Sequence, residues 1–170
     1  MSRHDDRLRV ALLDASHGDT HTRRNFRREL DAELVEFDVT EGDRPAGFEF
    51  DGVVITGSRA SVYWDEGWID PLVDYVASAH DRGIPILGVC YGHQVLAAAL
   101  DGRVESMGEY ELGYREVTRV GDDDLFEGVP ETLTAFMSHS DAVTQLPAGA
   151  ELLAENDYGI HAFRRGRAWG

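Results

Sequence analysis

The sequence contains no lysine, so all 16 of its basic residues are arginine, and they stand against 32 acidic residues. The formal net charge is −16 at pH 7. Proteins that bind nucleic acid draw much of their affinity from clustered cationic side chains on the phosphates. The main arginine cluster here lies among acidic residues, as on a solvated helix face: Arg23, Arg24, Arg27 and Arg28. The composition therefore argues against nucleic acid as a partner.

Cysteine and long apolar runs are also scarce. The single cysteine, Cys90, cannot form an internal disulfide, which favours a reducing compartment. No apolar stretch approaches the roughly 18 residues that a membrane-spanning helix needs, and the first residues contain no apolar signal core. We predict a cytoplasmic protein with no membrane partner. The sequence has no phosphate loop, metal-ligand motif or dinucleotide fingerprint, so we expect no cofactor and no metal.

Strand-like and helix-like patterns alternate through the first hundred residues. Apolar runs predict strands at residues 8–13, 34–39, 51–56 and 84–89. Helical periodicity predicts helices at residues 23–30, 68–80 and 92–100. This alternation is typical of a parallel sheet with helices on both faces.

After Asp101 the pattern changes to short strand-like pieces, which we expect to extend the sheet with antiparallel strands. They lie at residues 104–107, 114–120, 133–137, 151–154 and 160–163. The length of 170 residues suits one domain, and no linker or repeat divides it. The predicted fold class is α/β, with an open, mostly parallel sheet flanked by helices and antiparallel additions in the C-terminal half.

The one cysteine lies in GVCYGHQ, residues 88–94, between the fourth predicted strand and the next helix. A nucleophile flanked by glycines two residues away, between strand and helix, is the pattern of a nucleophile elbow. Such a turn projects the side chain from the carboxyl edge of the sheet, and the helix amino end favours a thiolate. Gly57 and Ser58 end the preceding strand, so backbone N–H groups of Gly57 and Tyr91 can form an oxyanion hole. We predict that Cys90 is a nucleophile rather than a buried apolar residue.

GVCYGHQ resembles the active-site signature of the class I, triad-type glutamine amidotransferases. Three further stretches resemble the same family: VVITGSRASVYWDE (53–66), ELGYREV (111–117) and MSHSDAVTQLPAGAELLA (137–154). The combination is most similar to the subgroup related to the amidotransferase domain of GMP synthase, which also includes γ-glutamyl peptidases. The resemblance covers nearly the whole chain and implies a flavodoxin-like α/β fold.

By this resemblance Cys90 is the catalytic residue. It would attack the side-chain amide carbon of glutamine, form a γ-glutamyl thioester and release ammonia. The resemblance assigns oxyanion and substrate binding to Gly57, Ser58, Tyr91, Gln94, Ser138, Ser140 and Asp141. The implied partners are a small-molecule substrate, either glutamine or another γ-glutamyl compound, and a synthase domain or subunit that accepts the ammonia.

The family's general base and its orienting acid are a histidine and a glutamate two residues apart, in a segment of the form GxQFHPE. The chain ends in RRGRAWG. We expect that segment beyond Gly170, so that residues 1–170 are a C-terminally truncated domain and a poor glutaminase by themselves. Three histidines inside the chain are less favoured as the base: His93 points along its helix surface, the counterpart of His139 shapes the substrate site, and His161 precedes the final strand.

Two other functions stay open at this stage. A γ-glutamyl peptidase or hydrolase would pass the acyl group to water with no ammonia acceptor. A binding or regulatory subunit of the same fold would be catalytically silent. Ammonia release from free glutamine distinguishes an amidotransferase from the peptidase or hydrolase. Labelling of Cys90 by a glutamine-mimicking electrophile disfavours the silent subunit.

The excess of negative charge predicts that stability rises with salt. A protein with this charge repels itself in dilute buffer, and the composition is similar to that of proteins from salt-accumulating halophiles. Molar salt shortens the screening length from about 10 Å to about 3 Å, so the midpoint of thermal unfolding should be higher in about 3 M than in about 0.1 M KCl. An unchanged or lower midpoint at high salt would refute the halophilic interpretation.

Overall fold

The computed structural model describes residues 7–170, which alternate strand and helix in the first half and are mainly strands in the second. The first half comprises β1 (Arg9–Asp14), α1 (Thr20–Glu29), β2 (Glu33–Asp38), β3 (Gly52–Ile55), α2 (Ile69–Asp81), β4 (Ile86–Gly88) and α3 (Tyr91–Ala99). The second comprises β5 (Arg103–Arg119), β6 (Thr132–Gln145), β7 (Glu151–Asn156), β8 (Gly159–Arg165) and β9 (Ala168–Trp169). Short 3₁₀ turns lie at Val39–Glu41 and Asp124–Phe126.

The nine strands of residues 7–170 form one mixed sheet, in the order β2-β1-β3-β4-β9-β8-β6-β5-β7. The strands β2, β1, β3, β4 and β9 pair in parallel. Every pairing among β5 to β8, and that of β8 with β9, is antiparallel. The α/β class and the antiparallel additions agree with the prediction. The mostly parallel character is not confirmed, because the antiparallel part is as extensive as the parallel part.

The antiparallel strands are longer than their sequence patterns suggest. β5 joins two predicted pieces into 17 residues, since Gly108 and Gly113 adopt positive φ and a register shift between Ser106 and Glu111 absorbs the irregularity. β6 continues past the apolar residues 133–137 through the whole SHSD stretch. β9 has only two residues, too few to give a periodic signal.

Helices cover both faces of the parallel strands. On one face α2 and α3 pack against the strands through residues such as Leu72, Val76 and Leu96. On the other face Phe26 and Leu30, from α1 and its end, pack against alternate strand residues. The arginines of α1 are not simply solvated: Arg23 pairs with Asp14 and Asp38, and Arg27 with Glu36. No helix within residues 7–170 is both long and apolar enough to cross a membrane.

The turn from β4 into α3 packs backbone directly against backbone. A Cβ placed on Gly88 would lie 2.3 Å from the carbonyl oxygen of Gly92, and one on Gly92 would lie 2.4 Å from that of Ile55. Real Cβ atoms do not approach backbone so closely, so both positions need glycine. This packing brings the amino end of α3 against the carboxyl end of β3.

We predict that Gly92→Ala lowers the free energy of unfolding by about 1–3 kcal/mol, because the new methyl group must displace the Ile55 backbone. Urea unfolding measures the change. Gly67→Ala is the matched control, since a Cβ there meets nothing within 4 Å. Equal stability of the two variants would contradict the close packing of this turn.

Candidate functional site

Cys90 lies directly between Val89, which follows β4, and the first residue of α3. It adopts φ 57° and ψ −108°. Positive φ is uncommon in residues other than glycine and costs roughly 1–3 kcal/mol, so it persists only where the surroundings enforce it. The Cys90 residue is exposed to solvent at this turn. A strained, accessible cysteine between strand and helix has the geometry of a nucleophile elbow.

Gly57 forms the wall beside the cysteine. β3 and β4 pair in parallel with Ile55 opposite Gly88, and the Val89 N–H donates to the Ile55 carbonyl at 3.0 Å. A Cβ placed on Gly57 would lie 3.5 Å from the Cys90 Cβ and 3.7 Å from its Sγ. The two strand ends that the sequence predicts to meet do lie side by side.

A polar pocket of about 340 Å³ opens next to the cysteine. It brings together every predicted site residue except Gly57, namely Ser58, Cys90, Tyr91, Gln94, Ser138, Ser140 and Asp141. Its lining also includes residues that the sequence did not single out: Arg59, Ser61, Trp64 and Tyr110. β6 supplies the SHSD side of this pocket and the loop after β3 supplies the other.

Asp141 ties the two sides of the polar pocket together. Its carboxylate accepts hydrogen bonds from the hydroxyls of Ser61, at 2.5 Å, and Tyr63, at 2.8 Å. The Gln94 side-chain amide donates to the Asp141 carbonyl at 3.4 Å. Asp141 is buried, so these donors compensate for much of the hydration that its carboxylate loses.

The pKa of the Cys90 thiol is raised from its ordinary value. The cause is the protein packed around the sulfur, which disfavours the thiolate, and the Tyr91 N–H acts in the opposite direction. The helix amino end thus favours the thiolate through the Tyr91 N–H, as expected, but the packing around the sulfur outweighs this single backbone donor and the net shift is upward.

A second cavity, of about 400 Å³, adjoins the polar pocket, and the residues common to both linings are Cys90, Gln94, Ser138, His139 and Asp141. We call it the apolar cavity, because much of its lining is apolar: Val117, Leu125, Phe126, Leu133, Phe136 and Met137. Three histidines also line it: His93, His139 and His161. Among the described residues, no hydrogen bond joins any of these rings to the Cys90 sulfur.

His93 is a core residue by its contacts. Its ring packs against Phe163 with 5.1 Å between centroids. Burial lowers the pKa of His93 to about 4, so the ring is neutral at pH 7. A ring in this setting is a weak proton acceptor.

Both ring nitrogens of His139 are engaged in polar contacts. Its Nδ1 lies 2.8 Å from the Asp141 carbonyl oxygen and its Nε2 lies 2.5 Å from the Glu111 carboxylate. A carbonyl oxygen only accepts, so Nδ1 is the donor in the first of these contacts. His139 therefore holds backbone and carboxylate in place instead of facing the thiol.

Glu111 is the centre of this arrangement. It is fully buried and lies opposite His139 in the β5–β6 pairing. Its other carboxylate oxygen accepts from the Asn156 amide at 2.6 Å. The His161 Nε2 lies 3.4 Å from Glu111 and, although buried, makes no hydrogen bond. Burial lowers the pKa of His161, while Glu111 raises it to a smaller extent.

The model of the glutamine amidotransferase class-I family matches residues 13–168 of this chain. The chain belongs to that family. At the sequence level it is 36% identical over 159 residues to a glutamine-hydrolysing GMP synthase of Aromatoleum aromaticum, and 34% identical over 154 residues to one of Vibrio vulnificus. These alignments cover 88% and 91% of this chain but only 29% of each relative. The chain thus spans under a third of the length of these curated relatives.

Solved structures agree on the fold. A glutamine amidotransferase from Thermotoga maritima superposes with a TM-score of 0.83 at 25% identity, covering 96% of this chain and 74% of that one. A protein from Thermoplasma acidophilum, assigned as one of the subunits of a GMP synthase, gives 0.77 at 24% identity, covering 98% and 83%. The second likeness concerns the fold alone.

We predict that alkylation of Cys90 by iodoacetamide keeps accelerating above pH 8.5, about the pKa of an unperturbed thiol. The thiolate is the reactive form, and a raised pKa moves its appearance to higher pH. The rate is measured by mass spectrometry on folded protein, with Cys90→Ser as the unlabelled control, since the chain has one cysteine. A rate that levels off below about pH 8 would contradict the raised pKa.

Proposed function

We propose that this chain binds glutamine in the polar pocket and hydrolyses its side-chain amide through Cys90. The observation that carries the proposal is the strained Cys90 turn, which opens onto a pocket formed by Ser58, Gln94 and Asp141. Strain at an accessible nucleophile is typical of functional sites. The family membership favours the same chemistry.

The reaction takes two balanced steps. The Cys90 sulfur bonds to the amide carbon as the carbon–nitrogen bond breaks, and the thiol proton leaves with the nitrogen as ammonia. Water then adds to the thioester, which gives glutamate and returns the proton to the sulfur. The Gly57 and Tyr91 N–H groups are our candidates for stabilising the oxygen in both steps, since both residues adjoin Cys90.

Arg59 is our candidate for recognition of the α-carboxylate. It is the one arginine that lines the polar pocket in the described part of the chain, which otherwise contributes hydroxyls, amides, rings and Asp141. A guanidinium binds a carboxylate through two parallel hydrogen bonds. Asp141 can receive the α-ammonium group, because a carboxylate has about four acceptor positions and Ser61 and Tyr63 occupy two.

Proton transfer is the weak point of this site. His139 is engaged at both nitrogens, His93 is packed in the core and the His161 Nε2 faces Glu111, so none of the three is set to take the thiol proton. We infer that residues 7–170 support acylation of Cys90 by a reactive electrophile much better than repeated turnover. Catalytic groups that act as a unit lose most of their effect when one is missing.

We also propose that the chain works with a synthase domain or subunit that accepts the ammonia. The relatives are named as glutamine-hydrolysing GMP synthases, and this chain covers under a third of their length. A second candidate function is hydrolysis of γ-glutamyl compounds with an apolar amine. The apolar cavity beside Cys90 favours it, because that space could hold a leaving group larger than ammonia.

We predict that glutamine protects Cys90 from a glutamine-mimicking diazoketone and that Arg59→Ala weakens this protection roughly tenfold or more, the effect of losing a charge-assisted hydrogen bond. Labelling rates against glutamine concentration measure it. Arg59→Lys should retain part of the protection. Arg44→Ala, at an exposed arginine outside the polar pocket, is the matched control.

Protection that is equal in Arg59→Ala and in the parent chain would exclude Arg59 from recognition. Absence of both labelling and protection would favour the silent binding subunit. Ammonia released from glutamine, compared with amine released from γ-glutamyl peptides, then separates the two enzymatic candidates.

A further inference from the structure

We propose that Glu111, His139 and His161 form a binding site for one zinc ion. The ligand atoms are one carboxylate oxygen and an imidazole nitrogen from each ring, and all lie within 4.8 Å of one another. The site does not rest on the proposed function, since none of its ligands is Cys90.

The spacing suits tetrahedral zinc. Bonds of about 2.0–2.2 Å to nitrogen and oxygen place neighbouring ligand atoms about 3.3 Å apart. The His161 Nε2 lies 3.4 Å from the Glu111 carboxylate, and the His139 Nε2 lies 2.5 Å from it. The first distance already fits, the second must widen by less than an ångström to admit the ion, and the two imidazole nitrogens lie within 4.8 Å of each other.

Contacts around the proposed ligands orient their side chains in the way that is typical of zinc sites. The His139 Nδ1 donates to the Asp141 carbonyl, which leaves Nε2 facing the site. The Asn156 amide holds the Glu111 oxygen that faces away. A zinc-bound histidine typically donates its other N–H to a carbonyl or carboxylate, and a zinc-bound carboxylate is hydrogen-bonded in turn.

The contact between His161 and Glu111 also favours a metal ion. Glu111 is fully buried, and the buried His161 Nε2 faces it without forming a hydrogen bond. A metal ion between them would supply the partner that the His161 Nε2 lacks, and a buried polar atom without a partner is costly.

The fourth coordination position faces the apolar cavity. His139 and His161 both line that space, whereas Glu111 lies behind them. A water molecule can complete the coordination there, as in zinc sites that keep one open position.

The experiment titrates zinc into the metal-free chain of 170 residues, by competition with a chromophoric chelator. We expect one equivalent to bind, with release of protons and weaker binding as the pH falls, because protons compete for the same atoms. His161→Ala should lower affinity at least about 100-fold, and Asn156→Ala, which removes an orienting contact, about 10-fold or more. His161→Ala breaks no hydrogen bond at Nε2, and near-UV circular dichroism checks that it is folded.

Two controls address other zinc-binding groups. Cys90→Ser must retain the affinity, since a thiol alone can bind zinc. His21→Ala must also retain it, since His21 is an exposed histidine on α1. Absence of stoichiometric binding in the parent chain would overturn the proposal. So would binding that survives in folded His161→Ala or disappears in Cys90→Ser. None of these outcomes bears on whether Cys90 reacts with glutamine analogues.

Discussion

The backbone contact between the Cys90 turn and the end of β3 is the constraint on which the site depends. Neither Gly88 nor Gly92 has room for a side chain, so α3 begins at a fixed place above the sheet. That placement holds Cys90 in its strained conformation and brings Gly57 beside its sulfur. The polar pocket and the apolar cavity both include Cys90, and the geometry of each therefore follows from the same few backbone contacts.

The Cys90 turn could be predicted from the sequence because all its components lie within or directly beside residues 88–94. Strand, glycines, cysteine and helix are local, and parallel pairing then dictates that Gly57 and Ser58 end beside them. The antiparallel half was harder to predict. The length of β5 depends on how two glycines and a register shift are accommodated by its partner, and β9 is defined only by its neighbours.

Glu111 and its neighbours could not be recognised as a group from the sequence. They come from β5, β6 and β8, with no fixed spacing, and only the strand register brings them together. The stretch ELGYREV resembles the family, but its sequence does not indicate that the Glu111 side chain points inward. A fully buried carboxylate in a chain of net charge −16 needs compensation nearby, and His139 and Asn156 supply it. This requirement explains why His139, the histidine of SHSD, contacts the Glu111 carboxylate and the Asp141 carbonyl.

The same charge balance determines how a substrate can be recognised. A protein of net charge −16 repels anions at long range in dilute buffer, but glutamine is a zwitterion with no net charge for that field to repel. In molar salt, screening reduces the reach of any surface charge to about 3 Å, whereas partly buried pairs are screened much less. Under our proposal, recognition depends on contacts inside the polar pocket, whose lining includes Arg59 and Asp141. The proposed specificity comes from hydrogen-bond geometry at contact distance, and the acidic surface is where we expect salt to act on stability.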